Sequence, residues 1–215
     1  MMKVYKTLHE FGSDEYIVEK SQFIGYAKPI RDEDEARVFI DEIKTKHKDA
    51  THNVWAYTVG ESMNIQRFSD DGEPSGTAGI PTLEVIKKED LRNVVVVVTR
   101  YFGGIKLGAG GLVRAYTKGA KIGLEAAKIV EKIPYKELSI VVDYTLLGKI
   151  QNSLSNTEFI IKDIEYAENV KINVYSKLDS DEKLKQLITE ITNAKCQIID
   201  GEEFYLSVMN GEVIL

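Results

Sequence analysis

A single cysteine, Cys196, leaves this 215-residue chain without an internal disulfide or a cysteine metal cluster. Histidine is also scarce, at His9, His47 and His52, which limits the nucleophile–base and metal-ligand sets that can be written. The longest apolar run, residues 94–98, is five valines. That is far short of the roughly 18 residues of a membrane span and reads as a buried strand, so no membrane partner is expected. The opening residues Met1-Met2-Lys3-Val4-Tyr5-Lys6 carry no apolar stretch of the signal-peptide kind, and the expected location is cytoplasmic. An excess of positive charge is missing too: the net charge is −6, which argues against a uniformly phosphate-binding surface. The charge is uneven, however. Residues 1–134 hold 20 Lys+Arg and 20 Asp+Glu, whereas residues 135–215 hold 8 and 14. A local basic site therefore fits the first part and not the second.

The periodicities predict an α+β protein of two domains, 1–134 and 135–215. Strand-like runs at 15–20 and 22–29 precede a helix over 33–47. Asp32 and Glu35 are spaced as a capping box, and Ala36, Phe39, Ile40 and Ile43 share one face. Residues 52–59 and 64–68 read as a hairpin. A short helix is expected over 77–88, with Pro81 tolerated in its first turn. Residues 93–100 read as a strand buried on both faces, because the valines do not alternate. A long helix is predicted from about 110 to 132, and its stripe is small: Ala115, Gly119, Gly123, Ala126 and Ala127. Two glycines inside a helix cost about 1 kcal/mol each relative to alanine, which close packing against a sheet explains. Ile133-Pro134 is expected to end that helix and mark the boundary. The remaining residues read as βαββαβ, the ferredoxin-like split βαβ.

Two polar, Gly-rich segments carry what chemistry there is. In Thr99-Arg100-Tyr101-Phe102-Gly103-Gly104-Ile105-Lys106-Leu107-Gly108-Ala109-Gly110-Gly111, five glycines fall in nine residues between a strand and a helix. Gly103, Gly104, Gly108, Gly110 and Gly111 allow backbone N–H groups to approach a ligand, and the helix start favours an anion. Arg100, Lys106 and Arg114 supply charge, and Tyr101 and Phe102 supply faces for stacking. The competing reading is a tight strand–helix connection. Neither a P-loop nor a dinucleotide fingerprint fits, since Leu112-Val113 follows Gly111. The second segment holds Asp70, Asp71, Glu73, Ser75 and Thr77. It reads either as a carboxylate cluster for Mg²⁺ or acid–base work, or as a solvated turn with side-chain caps. His52 is placed to share a cleft with Asp70 or Ser75, His47 reads as an exposed helix end, and Cys196 as an inert thiol.

Phe68-Ser69-Asp70-Asp71-Gly72-Glu73-Pro74-Ser75-Gly76-Thr77-Ala78-Gly79, followed by Val97-Val98-Thr99-Arg100-Tyr101-Phe102-Gly103-Gly104-Ile105-Lys106-Leu107-Gly108, resembles the IMPACT/YigZ family of the bacterial two-domain type. The resemblance covers roughly 15–132. It implies an N-terminal βαβ sandwich like that of a small-subunit ribosomal protein and elongation factor G domain IV. The acidic tail resembles the last domain, domain V, of elongation factor G. Eukaryotic relatives are linked to translational control under amino-acid stress, through competition for an activator of an initiation-factor kinase, and carry an additional N-terminal interaction domain with no counterpart in these 215 residues, so kinase regulation is not expected to carry over. The leading expectation is a noncatalytic binding protein that needs no cofactor or metal and contacts RNA, the ribosome or a translation factor through the Gly-rich turn. The alternative is a phosphate-handling or hydrolytic enzyme joining that turn to the acidic loop. A third reading puts a protein partner on the acidic C-terminal domain, around Glu202 and Glu203.

Overall fold

The computed structural model describes residues 2–214. They form two compact units, one chiefly Tyr5–Glu131 and the other chiefly Lys132–Val208. The architecture is mixed α/β, with five helices and two antiparallel sheets. No helix among the described residues is long and apolar enough to cross a membrane.

The first unit runs β1 (Tyr5–Leu8), β2 (Gly12–Val18), β3 (Ser21–Pro29), α1 (Glu33–Lys46), β4 (His52–Val59), β5 (Ile65–Ser69), α2 (Gly79–Lys88), β6 (Val94–Tyr101) and α3 (Gly108–Ala126). Its sheet has the order β2-β3-β6-β4-β5. Valine fills the centre because β6 lies between β3 and β4 and is covered on both faces. Val95 and Val97 pack with Phe39, Ile40 and Ile43 of α1. Val94, Val96 and Val98 pack with residues of α2 and α3. Successive side chains of a strand point to opposite faces, so five consecutive apolar residues serve both layers. Asp32 caps α1 through the N–H of Glu35 (2.9 Å), and the Glu35 carboxylate reaches back to the N–H of Arg31 (2.9 Å).

Close packing accounts for the small stripe of α3. A Cβ on Gly119 would lie 2.7 Å from Cγ1 of Val98, and one on Gly123 would lie 2.9 Å from the carbonyl carbon of Gly25. The helix is shorter than its periodicity suggests. It ends at Ala126, Lys128 takes a left-handed φ of 59°, and the chain continues as β7 (Ile129–Val142), which contains Ile133 and Pro134. The N–H groups of His9 and Glu10 donate to the carbonyls of Lys128 and Ala127. Those carbonyls are thereby taken up by a segment more than 100 residues away, which no local pattern announces.

The second unit continues from β7 through α4 (Tyr144–Leu154), β8 (Ile160–Tyr166), β9 (Val170–Lys177), α5 (Asp181–Thr192) and β10 (Gln197–Met209), with a short β11 (Glu212–Ile214) after it. The strand order is β11-β10-β7-β9-β8. Its core joins Leu138, Ile140, Ile172 and Val174 of the sheet to Ile150, Leu154, Leu184 and Ile188 of the helices.

Candidate functional site

The Gly-rich turn leaves β6 after Tyr101 and enters α3 at Gly108. Two side-chain hydroxyls hold its start: Phe102 N–H donates to Oγ1 of Thr51 (3.0 Å) and Gly103 N–H to Oγ of Ser21 (3.1 Å). Gly103 lies flat on the Lys20–Ser21 backbone, and any side chain there would overlap it. Gly104 and Gly108 take positive φ (87° and 71°) in open space, so their requirement is conformational. Gly110 and Gly111 lie in the first turn of α3, which has no capping side chain and no acidic residue. Lys106, Gly108, Gly110 and Arg114 are exposed, so the free N–H groups at this helix start face solvent beside two cations.

Arg100 does not belong to that exposed group. It is 5% exposed, and its Nη1 donates to Oε1 of Glu73 at 2.6 Å. The hydroxyl of Tyr116, on α3, donates to the same oxygen at 2.7 Å. Burial first, then this hydrogen bond, pushes the Tyr116 hydroxyl well above the usual tyrosine range. The Nε of Arg100 has no hydrogen-bond partner among the described residues, and the guanidinium lies 5.4 Å from the ring centre of Phe23 and 5.3 Å from that of Phe102. Those aromatic faces stabilise the cation where no further oxygen does. The two aromatics of the turn also separate. Phe102 is 45% exposed, while the Tyr101 hydroxyl is tied to Nδ1 of His47 (2.8 Å).

The acidic loop meets the turn, since Glu73 is the partner of Arg100. Its carboxylates are committed to holding the fold. Asp70 accepts from the N–H groups of Gly76 (2.9 Å), Ala78 (3.1 Å) and Gly79 (2.7 Å) and so organises the start of α2. Asp71, at φ 46°, accepts from Lys44 (2.9 Å) and from the N–H of Asn53 (2.7 Å). Ser75 is exposed, and the Thr77 hydroxyl donates to the carbonyl of Pro74 (2.7 Å). His52 lies against this loop at Asp71 and Glu73, with Nδ1 2.8 Å from the Asp71 carbonyl and Nε2 3.7 Å from Glu73. Among the described residues no three His, Cys, Asp or Glu side chains converge on a metal position.

His47 departs from expectation. It is buried rather than exposed, with Nε2 2.6 Å from the Tyr26 hydroxyl and Nδ1 facing Tyr101. Burial, reinforced by Lys46, lowers its pKa. Lys118 does not stand out in the sequence, yet it is exposed one turn beyond Arg114 on the same face of α3. The i, i+4 spacing of two cations was the available signal.

Residues 19–124 match the family described as the Impact N-terminal domain, and residues 140–195 match one described as Domain of unknown function (DUF1949). The chain is 47% identical over 206 residues to IMPACT family member YvyE of Bacillus subtilis (strain 168), covering 96% of this chain and 95% of that protein. It is 30% identical over 188 residues to IMPACT family member YigZ of Escherichia coli (strain K12), covering 86% and 92%. A solved structure described as "Crystal structure of an hypothetical protein" aligns with a TM-score of 0.58 at 28% identity, over 94% of this chain and 99% of that one. With nearly full-length relatives and both of its parts matched, this chain belongs to the IMPACT family.

Proposed function

We propose that this protein is a noncatalytic, cytoplasmic binding protein that contacts RNA on or near the translation apparatus through its Gly-rich turn. The observation that carries this reading is the uncapped start of α3, exposed and glycine-rich, with Lys106 and Arg114 beside it. Backbone N–H groups and unpaired cations together attract phosphate. Phe102 offers a face for a base. The carboxylates that an enzyme would need are engaged in capping α2 and in pairing with Lys44 and Arg100.

The fold gives collateral support. The βαββαβ order of the second unit, with β10-β7-β9-β8 as neighbours, suits a ferredoxin-like domain of the elongation factor G domain V kind. The helix-covered five-stranded sheet suits the resemblance of the first unit to domain IV. The acidic second unit then serves a protein surface rather than phosphate.

The test is binding of labelled RNA across a salt series by wild type and the Lys106→Ala/Arg114→Ala variant. Both side chains are exposed, so folding survives their removal. Without these two cations on single-strand phosphates, the slope of log affinity against log salt falls by about 1.4. RNA binding that ignores salt, or an unchanged slope in the variant, refutes the proposal.

A further inference from the structure

A cleft of about 450 Å³ opens between the end of β2 and the first half of α3, lined among others by Ile17, Glu19, Lys106, Gly111, Arg114 and Lys118. Three of these are cations and one is an acid, in a chain whose net charge is −6. Arg37 and Lys44 of α1, Lys87 of α2 and Lys185 of α5 meet carboxylates. Lys106, Arg114 and Lys118 form no ion pair among the described residues, and Lys118 Nζ lies 4.3 Å from the ring centre of Tyr16, which also lines the cleft.

This arrangement works against the stability of α3. Arg114 and Lys118, spaced i, i+4, repel each other on the helix face. A bound polyanion removes that penalty.

We infer that the β2–α3 cleft is the track for an RNA backbone, with Lys118 as a third phosphate contact beyond Lys106 and Arg114. This rests on the reading of the turn as an RNA contact.

The experiment measures anisotropy of a labelled single-stranded RNA over a salt series. It compares wild type, Lys118→Ala and Glu19→Gln in the full chain. Lys118→Ala is expected to lower the salt slope by about 0.7. Glu19→Gln, which removes the acid from the cleft, is expected to tighten binding on the order of threefold, as one charge acting through water does at contact range. Because it is a gain, that second result cannot arise from misfolding. An unchanged slope in Lys118→Ala while Lys106→Ala/Arg114→Ala still lowers it overturns the inference and leaves the turn reading standing. No RNA binding at any salt overturns both.

Discussion

Removing the Glu73 carboxylate should be among the most damaging single changes in the first unit, although the residue lies on a loop. The side chains of Arg100 and Glu73 are 6% and 3% exposed, and their contact is 2.6 Å. Glu73→Ala leaves the guanidinium buried with no opposing charge, at a site where its Nε already lacks a partner. It also strips the acceptor from the Tyr116 hydroxyl, which is fully buried. Breaking a buried pair by deleting one member costs about 3–5 kcal/mol, and the orphaned hydroxyl falls within that total rather than adding freely to it. Against the roughly 5–15 kcal/mol that holds a domain folded, this is a large fraction. Urea unfolding followed by tryptophan fluorescence is the assay, because the one tryptophan, Trp55, lies on β4 of the same unit. The double variant Glu73→Leu/Arg100→Met should lose much less than Glu73→Ala alone, since it removes both charges from the interior. A Glu73→Ala loss below about 1 kcal/mol, the range of an exposed pair, would refute the claim that this pair is a buried clamp joining the acidic loop to the turn.

Two further outcomes follow from burial and packing. His47 has a folded pKa below its unfolded value near 6.5; its contribution is therefore complete above about pH 6.5 and is lost as pH falls from there through the folded pKa, where the unfolded chain takes up the proton first. Urea midpoints measured from pH 8 to 5.5 should drop at the acid end in wild type and drop less in His47→Gln, and parallel profiles would contradict this. Gly25→Ala drives a methyl into the carbonyl of Gly119 and should cost about 1–3 kcal/mol or more, whereas Gly148→Ala, in α4 with open space around the new Cβ, should stabilise by about 0.4–1 kcal/mol; thermal unfolding that moves both variants in the same direction would refute the packing argument.

Much of the fold is legible in local pattern. The cap at Asp32 with its face of Ala36, Phe39, Ile40 and Ile43 is written within a dozen residues, and all four of those side chains are buried. The strand 52–59 and the valine strand appear where β-branched runs place them. The misreadings share a cause. Ile129 and Val130 suit a helix or a strand equally, and the choice fell to His9 and Glu10, whose N–H groups take the carbonyls at the helix end. The short β1 and β11 carry too few residues for a period to show.

The candidate site divides the same way. Composition and spacing alone determined that glycines and cations gather before α3, since these are properties of neighbouring residues. Which cations stay available was decided by the tertiary structure. Arg100 finds Glu73 27 residues earlier, Tyr116 lies 43 residues beyond that same carboxylate, and His47 is enclosed by Tyr26 and Tyr101 from two different strands. A charge's availability depends on what the fold brings within about 3 Å of it, and that neighbour is set by sheet order and register rather than by position along the chain.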